Sequence, residues 1–260
     1  MKETNLKLSP KDWFVSWFNS PAYHVLYGNR DQTEADHLIQ ALDNTEVQKG
    51  DVILDAGCGA GRHILSWGKR GYYAEGFDLS PESINTAQNN AIDLCVDGFT
   101  TFKVLDLRHL KDESNWKGRF DVVTNLFTSF GYFTTSKEHS DVLKGFVNCL
   151  RTGGKLVFDY INTPYSKSRL VEDEVINRDG YLFTIHRELN SGFFTKSIAY
   201  SDPKGATHYV VEQVKAWTVE ELERLLSDVG LQVIKKYGDY DLSVYSNDSP
   251  RLILIAEKTS

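Results

Sequence analysis

From residue 50 onward, apolar and polar positions follow two rhythms. Short runs rich in β-branched and aromatic residues alternate with segments whose apolar residues recur every three or four positions. The short runs predict strands at 52–56, 72–77, 101–104, 120–125, 155–160, 231–237 and 252–257. Because strands and helices alternate along the chain, the pattern predicts an α/β fold, a mainly parallel sheet with helices on both faces.

Capping residues mark where the helices begin. Ser80, followed by a proline, predicts the start of a helix near 81–91. Thr218 has a glutamate three residues later, which predicts a capping box and a helix that ends close to Gly230. Asp31 repeats the same spacing, and it predicts an extra helix before the first strand. The sheet is therefore expected to have an N-terminal helical cover.

The pattern changes between residues 161 and 217. Three strand-like segments, YLFTIHREL, GFFTKSIAYS and HYVVEQVKAW, are separated by the turn compositions NSG and DPKG. They predict an antiparallel β flap inserted after the fifth strand. The interpretation is one domain over 1–260, with a helical cover at 1–48, a core at 50–160, the flap at 161–217, and a final helix with two strands at 218–260.

The strongest chemical signal is the strand VILDA, which runs directly into the glycine-rich turn GCGAGRH. Gly57, Gly59 and Gly61 permit positive φ, and the following helix N-terminus offers N–H donors to a ligand. A pyrophosphate-binding turn reads G-x-G-x-x-G, whereas this one reads G-x-G-x-G with Arg62 next. Asp55 would repel a phosphate but could pair with an ammonium, directly or through water. The turn therefore favours a phosphate-free cofactor that carries an ammonium.

Two further carboxylates follow the next strands. Asp78 ends the second strand, where it can accept hydrogen bonds from both ribose hydroxyls. Asp106 lies just past the third strand, where it can accept from an adenine amine while the Leu107 N–H donates to the ring. Adenosine joined to an amino acid describes S-adenosylmethionine.

The segments VILDAGCGAGRH, GFDLS, VLDLR and FDVVTNLFTSFGYF resemble the ordered motifs of class I S-adenosylmethionine-dependent methyltransferases over about residues 50–160. WTVEELERLLSDVG and SPRLILIAEK resemble later parts of that family. The resemblance implies a Rossmann-like, doubly wound, seven-stranded sheet whose last strand is antiparallel. It also implies that Asn125 opens the segment facing the sulfonium.

The stretch WFNSPAYHVLYGNR resembles the N-terminal segment of small-molecule methyltransferases, where an aromatic and a basic residue cover the cofactor. Tyr23, Tyr27 and Arg30 are the candidates here. The predicted cofactor-binding residues are Tyr23, Arg30, Asp55, Gly57, Cys58, Gly59, Gly61, Arg62, Asp78, Leu79, Asp106, Leu107 and Asn125.

Aromatic residues after the fourth strand suit an acceptor pocket, because ring faces favour a cation and exclude water. Phe127, Phe130 and Phe133 recur at three-residue spacing, which also fits one buried face of a helical turn. Pocket and core therefore remain two interpretations. Tyr132 is the predicted catalytic residue, as a substrate-facing hydroxyl. The predicted acceptor-site residues are Phe127, Phe130, Tyr132, Tyr160 and Tyr165.

Composition narrows the partners. A net charge of -7 disfavours nucleic acid, and the N-P-P-[YF] motif of nucleic-acid amino-methyltransferases is absent. We find no signal-peptide core and no apolar run long enough for a membrane helix, so we expect a cytoplasmic protein without a membrane partner. We expect it to be a monomer or a homodimer. Three cysteines without C-x-x-C spacing, and no acidic residue at 126–136, predict no metal site.

The leading hypothesis is methyl transfer from S-adenosylmethionine to a nitrogen or oxygen of a small molecule. A sulfonium methyl is already activated, so in-line positioning and exclusion of water can supply most of the acceleration. Two alternatives stay open. One is an NAD(P)-dependent oxidoreductase on a similar sheet, which the absent third glycine of the dinucleotide motif disfavours, and the other is a non-catalytic S-adenosylmethionine-binding protein.

Overall fold

The computed structural model describes residues 12–28 and 32–259. Its elements in chain order are α1 (Trp13–Trp17), α2 (Pro21–Tyr27), α3 (Gln32–Thr45), β1 (Ile53–Ala56), α4 (Arg62–Lys69), β2 (Ala74–Asp78), α5 (Pro81–Asp93), β3 (Thr100–Val104), β4 (Phe120–Asn125), α6 (Ser136–Cys149), β5 (Leu150–Ile161), α7 (Thr163–Ser168), β6 (Asp173–Arg178), β7 (Tyr181–Asn190), β8 (Phe193–Ser201), β9 (Thr207–Lys215), α8 (Val219–Ser227), β10 (Leu231–Tyr237) and β11 (Arg251–Lys258). Two short 3-10 helices, Leu107–Asp112 and Ser114–Trp116, lie between β3 and β4. All the sequence-predicted strands of the central sheet are present. No described helix is long and apolar enough to span a bilayer.

The central sheet formed by the described residues has seven strands in the order β3-β2-β1-β4-β5-β11-β10. β1 to β5 pair in parallel, while β11 runs antiparallel to both β5 and β10. The predicted Rossmann-like sheet with its last strand antiparallel is therefore confirmed. The strand order reverses between β1 and β4, and in open α/β sheets such a reversal leaves a crevice at the carboxyl ends of the strands.

The predicted capping signals are present where the structure describes them. The Ser80 hydroxyl accepts the N–H of Ser83 at the start of α5. Thr218 and Glu221 form both hydrogen bonds of a capping box at α8. In α3, the apolar residues that predicted a helix are fully buried in the core. Its predicted cap, Asp31, lies outside the described residues.

The flap is a separate antiparallel sheet with the strand order β6-β7-β8-β9 among the described residues. The sequence predicts three of these strands and misses β6. Its sequence, DEVINR, is mostly polar, and one of its two apolar residues, Val175, is 67% exposed, so it lacks the apolar pattern of a buried strand. The opposite face of the flap buries Phe183, Ile185 and Ile198 in the same core cluster as the aromatic residues of α1. The flap thus packs against the helical cover.

Candidate active site

The turn between β1 and α4 is left-handed at all three glycines. Gly57, Gly59 and Gly61 have φ values of +84°, +55° and +84°. The N–H groups of Gly57 and Cys58 donate to the Phe77 carbonyl at 2.9 and 3.0 Å, which ties the turn to the end of β2. A Cβ atom at Gly59 would meet nothing within 4 Å, so its backbone faces open space. A ligand can therefore lie directly against the main chain there.

Asp78 is held rigidly at the end of β2. One carboxylate oxygen accepts the N–H of Gly59 at 2.9 Å, and the other accepts the N–H of Ser80 at 2.9 Å. The acidic residue and the glycine turn are therefore one hydrogen-bonded unit. Two main-chain donors orient the carboxylate before any ligand arrives, which reduces the entropy that binding must remove.

Asp55 lies in the interior and is only 1% exposed. One oxygen accepts the Thr124 hydroxyl at 2.7 Å, and the other has no hydrogen-bond partner among the described residues. Burial, with a smaller contribution from the negative charge of Asp78, raises the pKa of Asp55 to about 7. Near neutral pH this carboxyl is therefore divided between its two protonation states, and a cation bound nearby would favour the ionised one.

Asp106 caps the 3-10 helix after β3, and its carboxylate is shared with Arg108. It accepts the Arg108 main-chain N–H at 2.8 Å and three further hydrogen bonds from the Arg108 guanidinium. Burial alone would raise the pKa of Asp106, but the hydrogen bonds and positive charge of Arg108 outweigh burial and lower it. The carboxylate is therefore ionised at neutral pH.

A cavity of about 350 Å³ lies over these strand ends. That volume falls in the range of small-molecule pockets, roughly 300–1,000 Å³. Many sequence-predicted site residues line it together: Tyr23, Gly57, Cys58, Gly59, Arg62, Asp78, Leu79, Asp106, Leu107, Phe127 and Tyr132. Tyr27 lines it as well. Burial raises the pKa of the Cys58 thiol well above its ordinary value, so this residue contributes an uncharged surface.

Other predicted residues do not reach the described lining, and their contacts explain why. Asn125 is fully buried and donates to the Ala56 carbonyl at 2.7 Å, joining β4 to β1. Phe130 packs in the core, 5.2 Å from the Phe158 ring centroid. The Tyr160 hydroxyl donates to the Lys215 carbonyl at 2.6 Å. The predicted residues without a place in the lining are Asp55, Gly61, Asn125, Phe130, Tyr160 and Tyr165, and Arg30 lies outside the described residues.

The aromatic run after β4 is both pocket and core. Phe127 and Phe133 line the cavity, whereas Phe130 is fully buried beneath it. Tyr132 also lines the cavity, but its hydroxyl donates to the Thr128 carbonyl. The three-residue spacing therefore satisfies both interpretations, each for different residues.

The opposite wall comes from residues that the sequence analysis missed. Phe14 and Phe18 of the cover line the cavity, and their ring centroids lie 6.3 and 5.6 Å from that of Tyr132. Phe18 also packs 4.9 Å from Tyr23. The signal for this wall is the aromatic-rich segment WFVSWF, which places several rings on a short helix.

The cover is attached to the flap by a charged group. One oxygen of Glu212, on β9, accepts the Trp17 indole N–H at 2.5 Å, and both oxygens lie within 2.8 Å of the Tyr27 hydroxyl. Lys196 donates to the same hydroxyl at 2.7 Å. The flap thus fixes the helices that close the cavity.

The donor set fits S-adenosylmethionine. The open backbone at Gly59 and the near-neutral buried carboxyl of Asp55 suit the amino-acid end of that molecule. The oriented carboxylate of Asp78 suits a pair of hydroxyls, and aromatic rings suit a positively charged sulfur. The carboxylates beside the turn would repel a pyrophosphate.

Comparisons with known proteins agree with this geometry. The family model described as "Methyltransferase domain" matches residues 47–230. The chain is 25% identical over 219 residues to the putative methyltransferase YqeM of Bacillus subtilis, covering 80% of this chain and 84% of that protein. It is 24% identical over 225 residues to a dTDP-3-amino-3,4,6-trideoxy-alpha-D-glucopyranose N,N-dimethyltransferase of Streptomyces venezuelae, covering 83% and 90%. An S-adenosylmethionine-dependent methyltransferase from Clostridium acetobutylicum superposes with a TM-score of 0.73 at 18% identity, covering 91% and 96%.

Proposed function

We propose, from the premise that this chain belongs to the S-adenosylmethionine-dependent methyltransferases, that its methyl acceptor is a nitrogen or oxygen of a small molecule. The observation that carries the proposal is the cavity itself. Helices α1 and α2 close it on one side and the glycine turn bounds it on the other, at about 350 Å³. A concave space of this size suits a small acceptor better than a macromolecular one.

The family match decides between the alternatives left open by the sequence. A methyltransferase domain over residues 47–230 argues against the NAD(P)-dependent oxidoreductase and against a non-catalytic binding protein. The site geometry agrees, because Asp55 and Asp78 place negative charge beside the turn that a pyrophosphate would need. The chain is an enzyme that uses S-adenosylmethionine.

Each strand end has a proposed part in binding. The glycine turn holds the amino-acid end, and Asp55, buried beneath the turn, acts on its ammonium through charge or a bridging water. Asp78 accepts from the ribose hydroxyls, and Asp106 with Leu107 flanks the adenine. When bound, S-adenosylmethionine supplies a methyl group activated by its sulfonium. Gly61 and Asn125 act from behind the cavity, by shaping the turn and joining β4 to β1.

The aromatic wall is the proposed acceptor side. Phe14, Phe18, Phe127, Tyr132 and Phe133 line the cavity with ring surface. Ring faces stabilise a cationic nitrogen and exclude water, which serves a displacement that requires alignment rather than acid–base chemistry. Tyr132 is the proposed acceptor contact, through a hydroxyl oxygen that can accept from an N–H group.

Nitrogen acceptors are the first to test, because one relative is named an N,N-dimethyltransferase of an amino sugar nucleotide. The net charge of -7 also opposes an acceptor embedded in nucleic acid.

The test has two stages. Calorimetry with S-adenosylmethionine, S-adenosylhomocysteine and NADH should show binding of the first two alone. Release of S-adenosylhomocysteine is then measured with a panel of amino sugars, small amino acids, alkylamines and phenols, beside RNA and a protein lysate. Turnover with a small amine or phenol supports the proposal, and turnover confined to RNA or protein contradicts it.

A matched pair of variants locates the acceptor side. Tyr132→Phe removes a hydroxyl at the cavity wall and should lower kcat with the accepted substrate. Tyr209→Phe removes a hydroxyl from the flap, where Tyr209 is 60% exposed, and should leave kcat unchanged. Equal kcat in both variants would remove Tyr132 from the proposed acceptor site.

A further inference from the structure

The turn that follows β4 has an unusual backbone. Phe127 and Thr128 are consecutive non-glycine residues with φ values of +56° and +62°. The left-handed region is disfavoured for residues with a Cβ atom, and most strongly for a β-branched residue such as threonine. Strained backbone of this kind persists only where surrounding contacts hold it, and it is concentrated at functional sites.

Two side chains from other strands hold this turn. Asp159 accepts the Phe127 N–H at 2.8 Å through its carboxylate, and its main-chain carbonyl accepts the Thr128 N–H at 3.1 Å. The Arg251 guanidinium donates to the Thr128 hydroxyl at 2.8 Å and to the Asp159 carboxylate at 2.8 Å. Tyr240 donates to the same carboxylate at 3.0 Å. Phe127 is therefore held through its N–H, and Thr128 through both its N–H and its hydroxyl.

The sheet brings the two charged residues together. Asp159 is on β5 and Arg251 begins β11, and in the antiparallel register Asp159 pairs with Ile253. Arg251 is two residues from that partner, so both side chains lie on the same face of the sheet as diagonal neighbours. The Asp159 side chain is fully buried and that of Arg251 is 18% exposed. The pair thus lies at the carboxyl edge of the sheet. Hydrogen bonds must satisfy a buried ion pair to offset the desolvation of its two charges.

The turn they hold is part of the cavity wall. The Phe127 ring lines the cavity, with the Arg62 guanidinium 4.4 Å from its centroid. The Thr128 carbonyl accepts the Tyr132 hydroxyl. The Ser129 hydroxyl donates to the Gly57 carbonyl at 3.3 Å, so the turn also contacts the glycine loop. A change in φ at residues 127 and 128 would therefore displace the Phe127 and Tyr132 rings and alter the contact with the glycine turn.

We propose that Asp159 and Arg251 are positioning residues that hold Phe127 and Thr128 in the left-handed conformation and thereby keep the cavity wall competent to bind the methyl donor. Without the pair, the turn relaxes toward ordinary φ values and the competent fraction of the protein falls. The apparent dissociation constant rises by the reciprocal of that fraction. Given the usual preference against the left-handed region, the expected loss is roughly five- to thirtyfold.

The test measures binding of S-adenosylmethionine and S-adenosylhomocysteine by calorimetry on the full chain. Arg251→Met should weaken both by roughly five- to thirtyfold. Arg151→Met is the matched control, because it breaks an Arg–Asp pair between β4 and β5 at a more exposed position, with Arg151 51% exposed. That control should bind with wild-type affinity. Wild-type affinity in folded Arg251→Met would overturn the proposal.

A rescue experiment separates backbone positioning from general stability. In the Arg251→Met background, Thr128→Gly removes the left-handed penalty and should recover most of the lost affinity. Thr128→Ala removes the same hydroxyl and keeps the penalty, so it should not. A purely structural role would lower the unfolding midpoint in all these variants without this difference. Equal affinities in the glycine and alanine variants would overturn the proposal.

If Arg251→Met does not fold, Arg251→Lys carries the same comparison. Lysine keeps the charge beside Asp159 but lacks the planar fork that reaches Asp159 and Thr128 together. Glycine at residue 128 should again restore more affinity than alanine. No difference between them would again contradict the proposal, and the measurement does not depend on which acceptor the enzyme methylates.

Discussion

Asp55→Asn is the variant whose effects on stability and on binding should have opposite signs. Asparagine keeps the shape of the neutral acid, and its carbonyl can still accept the Thr124 hydroxyl that Asp55 accepts at 2.7 Å. It removes the ability to ionise and places an amide NH2 at the oxygen that has no partner among the described residues. Because Asp55 is 1% exposed, ionisation in the folded protein places a charge in a desolvated position.

The magnitude follows from the pKa of Asp55, which burial raises from 3.8 to about 7. Between these two values the unfolded chain ionises Asp55 while the folded chain keeps the proton, so stability falls as pH rises. Above pH 7 the full penalty applies, which is about 4 kcal/mol at about 1.4 kcal/mol for each pKa unit. Asp55→Asn should therefore be more stable than wild type by about 4 kcal/mol at pH 8 and by less than about 2 kcal/mol at pH 5.

Urea unfolding of both proteins at pH 5, 6.5 and 8 measures the difference in their free energies of unfolding. The contributions of titrating groups that the two proteins share cancel in that difference. Asp121→Asn is the control of opposite sign. Burial raises the pKa of Asp121, but hydrogen bonds from the Val52 N–H and from Arg151 outweigh burial and lower it. Loss of that carboxylate should cost stability at high pH. A stability difference for Asp55→Asn that does not change between pH 5 and 8 would refute the buried titration.

Binding should respond in the other direction. If Asp55 serves the ammonium of the methyl donor, then Asp55→Asn binds S-adenosylmethionine more weakly at pH 8 despite its greater stability. At pH 6 the wild-type protein should release a proton on binding, seen as a calorimetric heat that varies with the ionisation enthalpy of the buffer. The variant should show no such release. Equal affinity and equal proton release in both proteins would exclude Asp55 from binding.

Three further variants test the walls of the site. Asp78→Ala should weaken binding of S-adenosylmethionine in calorimetry by about 1.5–3 kcal/mol, the scale of hydrogen bonds to a charged group, and unchanged affinity would remove the ribose assignment. Gly59→Ala places a methyl group in the open space over the turn and should reduce binding more than Gly50→Ala does, although both glycines have positive φ and no atom within 4 Å of an added Cβ. Glu212→Gln weakens the attachment of the cover to the flap and should lower affinity for the methyl donor, whereas Glu188→Gln elsewhere on the flap should not. Identical affinities within either pair would refute the corresponding role.

Local patterns predicted the elements that position the site. The strand 120–125 matches β4 residue for residue, and the capping box at Thr218 is present as predicted. Both features can be recognised from a few neighbouring residues, although only the capping box is satisfied locally, since β4 forms its hydrogen bonds with β1 and β5. The turn from β1 to α4 belongs to the same class, because a glycine run after a buried strand has few other uses.

The remaining part of the site depends on contacts between distant segments. Asp159 and Arg251 are 92 positions apart, and only the pairing of β5 with β11 brings them together. Trp17 and Glu212 are separated by 195 positions and join the cover to the flap. None of these four residues stands out in its local sequence. The same reason explains Tyr160, whose place at the carboxyl end of a strand predicts a ligand contact but whose hydroxyl donates to the Lys215 carbonyl of the flap.

The proposed contacts divide unequally between binding and rate. The methyl donor and its spent form share the same ammonium, ribose and adenine, so Asp55, Asp78 and Asp106 would hold both about equally. Contacts that are equal before and after the reaction tighten binding without lowering the barrier. What changes is the charge on sulfur and the position of the methyl group, and the aromatic wall held by residues 127–132 is the part of the lining that can respond to that change. The rate of methyl transfer should therefore depend more on the geometry of that wall than on the acidic strand ends.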